Sequence, residues 1–268
     1  MPLAVCATPI GNLADVTLRV LEELAAADTV LCEDTRHTRV LLRRHGIEAR
    51  LLSCHQHNEA SRTAELVPRL VAGERMALVS DAGLPGVNDP GARLVAAALE
   101  AGVPVTVLPG PSAVETALVA SGLAGDQYRF VGYLPRKAGE LTALWQEIVA
   151  WPHPVVAFES PRRLGASLAS LAAVAPERPV AVCRELTKVF EEVVRGPALE
   201  LARRFSEPPK GEITLVVGAA PVEAPAQIDA AAVAVSELVA AGTPRRVAVD
   251  VVARLAGSSR NQLYRSSL

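Results

Sequence analysis

The stretch Met76-Ala77-Leu78-Val79-Ser80-Asp81-Ala82-Gly83-Leu84-Pro85-Gly86-Val87-Asn88-Asp89-Pro90-Gly91 decides how this chain is read. Its first residues, Met76 to Val79, are apolar and read as a short buried strand. From Ser80 the run turns into glycines and prolines, and from residue 92 a helical pattern takes over. Asp89 is expected as the N-cap of that helix, with Pro90 at its first position. Glycines and prolines packed into one strand-to-helix loop let the backbone approach a molecule bound at the carboxyl end of a sheet. The run therefore marks a small-molecule site.

Working outward, strands are expected at 3–8, 29–32, 50–54, 76–80 and 103–108. Helices fall between them at 16–26, 38–45, 59–72 and 91–101, with Asp15 expected to cap the first. Alternation of this kind implies a parallel sheet covered on both faces. After a helix at 113–121, strands at 129–133, 155–159, 180–184, 189–195 and 213–218 are less evenly spaced. Only Glu185-Leu186-Thr187-Lys188 separates two of them, which predicts a hairpin and a mixed sheet. The fold class is α/β: domains at 1–112 and 113–220, joined near 109–122, with a ligand cleft between them. A linker is read at 221–225. A tail at 226–268 follows, with helices at 228–241, 247–256 and 260–265 that resemble a helix-turn-helix. From Thr243 onward Arg245, Arg246, Arg254, Arg260 and Arg265 face one acid, Asp250, so the tail is a candidate phosphate contact.

Composition narrows the class. Half of the 268 residues are hydrophobic but only 3% are aromatic, which suits Ala/Val/Leu helices packed on parallel strands. The net charge of −2 argues against wholesale coating of nucleic acid, though not against a local basic patch. Cys6, Cys32, Cys54 and Cys183 are widely spaced, with no C-x-x-C pair, so neither a zinc site nor a disulfide framework is indicated. His55 and His57, two residues apart, would point to opposite sides of an extended chain, so no metal is expected. No apolar run is long enough to span a membrane, and a cytoplasmic protein is expected.

Two nucleotide-binding devices are missing: the G-x-x-x-x-G-K-[ST] loop and a G-x-G-x-x-G after the first strand. The first strand ends instead in Thr8-Pro9-Ile10-Gly11-Asn12-Leu13, poorly suited to a pyrophosphate. A nucleoside-sized ligand without phosphates, held by backbone amides and apolar contacts, fits better, and S-adenosylmethionine meets that description. Three more loops follow: Pro109-Gly110-Pro111-Ser112-Ala113, Glu159-Ser160-Pro161-Arg162 and Arg184-Glu185-Leu186-Thr187-Lys188. Their order resembles the tetrapyrrole methylase superfamily, methyltransferases built from two α/β domains. Adding Glu33-Asp34-Thr35-Arg36, His55-Gln56-His57-Asn58-Glu59 and Lys210-Gly211-Glu212, the chain is similar over residues 3–218 to the ribosomal RNA small subunit methyltransferase I family.

That resemblance implies methylation of the ribose 2′-oxygen of a cytidine in the decoding region of 16S rRNA, in the small ribosomal subunit, by a homodimer. It implies that S-adenosylmethionine is held by Pro9, Ile10, Asp81, Gly83, Pro85, Val87, Ser112 and Ala113, with Leu186 and Thr214 as further candidates. For the RNA, Arg36 and Arg162 can grip phosphates bidentately, and Asn58 and Glu159 join them as substrate candidates. A ribose hydroxyl must lose a proton, and His55, Asp34 and Glu59 are the catalytic candidates, His55 first because imidazole is the side-chain type whose ordinary proton exchange falls near neutrality. Helix capping is an equal reading for Asp34 and Glu59. The alternatives left open are a tetrapyrrole or translation-factor substrate for the same fold, and RNA binding without catalysis.

Overall fold

The computed structural model describes residues 2–220, 225–257 and 259–267. It divides into two compact units, Met1–Ala219 and Ala220–Leu268. The larger unit holds two five-stranded sheets.

The first sheet contains β1 (Leu3–Cys6), β2 (Thr29–Cys32), β3 (Leu51–Ser53), β4 (Met76–Leu78) and β5 (Val105–Leu108) in the order β3-β2-β4-β1-β5. Every pairing is parallel. The central strands β1, β2 and β4 are buried at each residue, because helices cover both faces. On one face α3 (Glu59–Val71) and α4 (Ala92–Glu100) bring Leu66, Leu70, Leu94 and Ala98 onto Leu3, Val5 and Leu31. On the other, α1 (Leu18–Ala26) and α2 (Thr35–Arg44) bring Val20, Leu24, Leu41 and Leu42 onto Ala4, Cys6 and Val30. Alternate residues of one strand thus serve two cores, as the period of two demands.

The second sheet contains β6 (Arg129–Tyr133), β7 (Val155–Glu159), β8 (Pro179–Arg184), β9 (Glu192–Pro197) and β10 (Ile213–Val217) in the order β6-β7-β10-β8-β9. Only β6 and β7 are parallel, so the sheet is mixed, as the hairpin predicts. Three helices that the sequence pattern does not announce, α6 (Ala138–Val149), α7 (Leu164–Val174) and α8 (Ala198–Arg204), pack on one face around Trp145. The opposite face carries α5 (Ala113–Ser121). Ile10, from the loop after β1, and Leu186, from the loop after β8, enter that same core with Val114, Ala117 and Val216. The two sheets therefore share apolar packing at the point where their loops meet.

Several boundaries differ from expectation, each for a local reason. The N-cap of α4 is Gly91, at φ 129°, and the helix begins at Ala92; Asp89 lies in the preceding turn. The amides at this helix start are satisfied from elsewhere: Glu59 Oε1 accepts from Gly91 N (2.8 Å) and Arg93 N (3.1 Å). Asp15 does not cap α1; Asn12 caps a short 3₁₀ turn over Leu13–Asp15 and Thr17 caps α1. Helix α2 starts at Thr35 because Asp34 caps it. The connection from β8 to β9 spans 185–191 rather than four residues. Glu185 (φ 52°) and Thr187 (φ 66°) take left-handed conformations that keep the chain out of the ladder.

The smaller unit consists of α9 (Pro225–Ala240), α10 (Arg245–Ala256) and α11 (Arg260–Ser266) around Val235, Val249, Val252 and Leu263. Residues 221–224 of the expected linker lie outside the described residues. Gly257, at φ 68°, ends α10 in the left-handed conformation that glycine adopts freely.

Candidate active site

The loops after β1, β4 and β5 leave the same edge of the first sheet and are knitted together. Thr8 and Gly83 exchange backbone hydrogen bonds, Thr8 N to Gly83 O at 2.8 Å and Gly83 N to Thr8 O at 3.0 Å. The buried Thr8 hydroxyl donates to Ser80 O at 3.0 Å. Gly110 has no room for a side chain, since a Cβ there would stand 2.9 Å from Ala7 Cβ. From the second sheet, the loop after β8 presses on the loop after β1. A Cβ on Gly11 would lie 2.6 Å from Lys188 Cγ and 2.9 Å from Leu186 O, and Asn12 N donates to Thr187 Oγ1 at 3.0 Å. Asn88 (φ 64°) meets β6 at Gly132, where a Cβ would stand 2.8 Å from Asn88 Oδ1.

These contacts enclose a hollow of about 1030 Å³. Its walls include Ile10, Gly83, Val114 and Leu186, and an aromatic side where Phe158 meets Phe130 (5.0 Å) and Tyr133 (5.6 Å) edge to face. Val87 and Tyr133 remain 53% and 62% exposed, apolar surface that a bound ring would cover. The volume reaches the upper end of what a small-molecule site needs, leaving room for a nucleoside and part of a second molecule. The loops that line the hollow come from both sheets.

Of the ten residues assigned to the cofactor, Ile10, Asp81, Gly83, Val87, Ser112, Ala113, Leu186 and Thr214 line the hollow. Pro9 and Pro85 are buried and do not line it. Asp81 also ties two loops together: Oδ1 accepts from Asp34 N at 3.1 Å and Oδ2 lies 3.3 Å from His37 Nδ1. The catalytic and substrate candidates are more dispersed. Asp34 grips Arg36 through both oxygens (Nε 3.0 Å, Nη2 2.6 Å), and that hydrogen bonding holds its carboxyl well below the usual range. Arg36 itself is 86% exposed. Asn58 accepts from His55 N at 2.8 Å and donates to Ser53 O at 3.2 Å, which shapes the start of α3. None of Asp34, Arg36, His55, Asn58 and Glu59 is among the lining residues. Glu159 lines the hollow, yet its carboxylate is fully enclosed and accepts from Ser160 N (2.6 Å) and Ser167 Oγ (2.5 Å), with Arg163 at 3.3 Å. Arg162 is exposed and borders a separate, smaller hollow against α7 and α8.

Other lining residues carry chemistry that the sequence pattern does not single out. Glu33 and Asp89 are half-buried acids whose carboxyls are both pushed up, chiefly by burial, Asp89 to about 6. Glu115 takes hydrogen bonds from Ser112 and from the Tyr128 phenol (2.5 Å). The four cysteines are buried free thiols; burial pushes Cys6 up to about 12 and Cys183 to about 11, so none is poised as a nucleophile.

The family model described as Tetrapyrrole (Corrin/Porphyrin) Methylases matches residues 2–202. A uroporphyrin-III C-methyl transferase from Thermus thermophilus, solved in complex with S-adenyl homocysteine, superposes with a TM-score of 0.56 at 20% identity, over 81% of this chain and 96% of that one. Two curated relatives are far closer in sequence, both named ribosomal RNA small subunit methyltransferase I. The protein from Mesorhizobium japonicum is 46% identical over 99% of this chain and 91% of its own length. That from Micromonospora olivasterospora is 46% identical over 96% and 83%. The chain belongs to the ribosomal RNA small subunit methyltransferase I family, within the tetrapyrrole methylases, and is a methyltransferase.

Proposed function

We propose that this protein transfers a methyl group from S-adenosylmethionine to the ribose 2′-oxygen of a cytidine in the decoding region of 16S rRNA, acting in the cytoplasm as a homodimer. The observation that carries the reading is the hollow built by loops of both sheets in a chain of this family. Ile10, Asp81, Gly83, Val87, Ser112, Ala113, Leu186 and Thr214 hold the donor. The bare Val87 and Tyr133 side chains suit its adenine and thioether parts. When bound, the donor supplies an electrophilic methyl on a sulfonium. The protein's task is therefore alignment, exclusion of water and removal of one proton. The knitted loops supply alignment, because each is fixed by backbone hydrogen bonds or by glycine contacts with no slack. Arg36, exposed beside the acid that orients it, engages RNA phosphate at the mouth. Val119, Val189 and Phe190, 73%, 93% and 71% exposed, are apolar surface available for pairing two copies.

The test is incubation of the protein with tritiated S-adenosylmethionine and small subunits from cells lacking the modification, followed by nuclease mapping. Label on a cytidine ribose of 16S rRNA supports the reading. Label on a base or on ribosomal protein, or none at all, overturns it.

A further inference from the structure

Taking the methyl transfer to a ribose hydroxyl as read above, one question is where the hydroxyl proton goes. Six carboxylates line the hollow: Glu33, Asp81, Asp89, Glu115, Glu159 and Glu212. Four are already committed. Asp81 accepts from Asp34 N and faces His37, Glu115 is held by Ser112 and Tyr128, and Glu159 is saturated by Ser160, Ser167 and Arg163. Glu212 pairs with Lys188 at 2.9 Å. Among the described residues, no ion pair involves Glu33 or Asp89. Of these two, Asp89 stands where the loop after β4 meets the second sheet, one residue past the Asn88 contact with Gly132 and two past Val87.

We propose that the Asp89 carboxylate is the catalytic base, accepting the proton of the ribose 2′-hydroxyl as the methyl group is transferred. In that step the 2′-oxygen forms the new O–C bond with one of its electron pairs. The C–S bond breaks and its pair stays on sulfur, leaving a neutral thioether. The hydroxyl proton passes to Asp89 and from there to solvent. The charged and titratable groups that face Asp89 are Glu33 from the loop after β2, Asp81 from its own loop, and Tyr133 from β6. Burial and the two neighbouring acids lift its carboxyl to about 6, which keeps it ionised at neutral pH yet far more basic than an ordinary carboxylate.

The test is single-turnover methyl transfer to unmodified small subunits between about pH 5 and 8, with calorimetry of donor binding alongside. Wild-type rates should climb through about pH 6 and level off. Asp89→Asn should lose roughly 10²–10⁴-fold in rate, show no such limb, and bind the donor as wild type does. Glu33→Gln, which removes a like charge facing Asp89, should move the limb to lower pH, a response that a purely structural Asp89 would not give. An Asp89→Asn protein that transfers methyl at the wild-type rate, or one that keeps the limb, overturns the proposal; so does a limb that stays in place in Glu33→Gln. Wild-type protein that labels no ribose overturns the reading beneath it, and the two failures are told apart by that control.

Discussion

Gly11→Ala puts the joint between the two sheets under test. The added methyl would stand 2.6 Å from Lys188 Cγ, 2.8 Å from Thr187 Oγ1 and 2.9 Å from Leu186 O. Carbon needs roughly 3.5–4 Å, so the loop after β8 must retreat by about 1 Å. Overpacking of this kind costs about 1–3 kcal/mol. Retreat also breaks the bond from Asn12 N to Thr187 Oγ1, worth about 0.5–1.5 kcal/mol. The joint therefore loses about 1.5–4.5 kcal/mol. If the loop stays in place, that cost appears as lowered stability. If it swings out to relieve the clash, the hollow opens, and the cost appears in donor affinity, where the full amount is roughly 10- to 2,000-fold. Urea unfolding and calorimetric titration with S-adenosylmethionine measure the two shares on one preparation. Gly139→Ala in α6, with nothing within 4 Å of the new methyl, is the control and should lose neither. A Gly11→Ala protein that unfolds and binds like wild type would refute the claim that these two loops are held in contact.

Glu59→Ala removes the acceptor that caps α4 and should cost about 1–2 kcal/mol in urea unfolding; loss of methyl transfer with stability intact would instead place Glu59 in the chemistry. Burial and neighbouring acids raise Asp89 in the folded protein from an ordinary aspartate value to about 6, so the folded state holds a proton that the unfolded chain has released. Ionised Asp89 thus weakens the fold above that window. Asp89→Asn should melt higher than wild type at pH 7, and the gain should fade as the pH falls toward about 4. In the tail, Arg246, Arg254 and Arg265 are exposed, whereas Arg260 pairs with Asp250 and Arg245 donates to Ser267 O. Replacing the exposed three with alanine should flatten the salt dependence of subunit binding by up to about 2–3 in log–log slope, with donor affinity unchanged.

The first sheet was legible because its strands are punctuated. Each strand from β1 to β5 ends in a break that the sequence announces, and alternation of strand and helix left one topology class. Helix α7 gave no such signal: Leu-Gly-Ala-Ser-Leu-Ala-Ser-Leu-Ala-Ala-Val is apolar or small on every face, so no helical period stands out. The N-cap of α4 was misplaced because a carboxylate on a different helix does the capping, which no local pattern reveals. The site was half legible for the same reason. Gly83, Ser112 and Leu186 lie in loops rich in turn residues and reached the hollow, while His55, recommended by residue type alone, did not. Asp89 sat inside the deciding run and was assigned to capping, and its closeness to Glu33 depends on two loops distant in sequence.

Strain is distributed in a way that explains why the hollow is stiff. Among the described residues, the non-glycine positions with positive φ are Asn88, Glu185 and Thr187, all in the loops after β4 and β8 that close the site. Asparagine tolerates that region; for β-branched threonine it is costly, on the order of 1–3 kcal/mol. The structure compensates locally. Thr187 N donates to Glu191 Oε2 at 2.5 Å and Thr187 Oγ1 accepts from Asn12 N. Glu185 Oε1 accepts from Lys188 Nζ and from Glu212 N, each at 2.9 Å. Leu186 lies between the two left-handed residues, and that reversal is what turns its side chain into the core shared by both sheets. A relaxed loop would spare the strain but leave Leu186 free to turn outward. The donor would then have to order that loop at the expense of its own affinity. Strain held by hydrogen bonds outside the hollow gives rigidity inside it, and a reaction governed by alignment gains most from that arrangement.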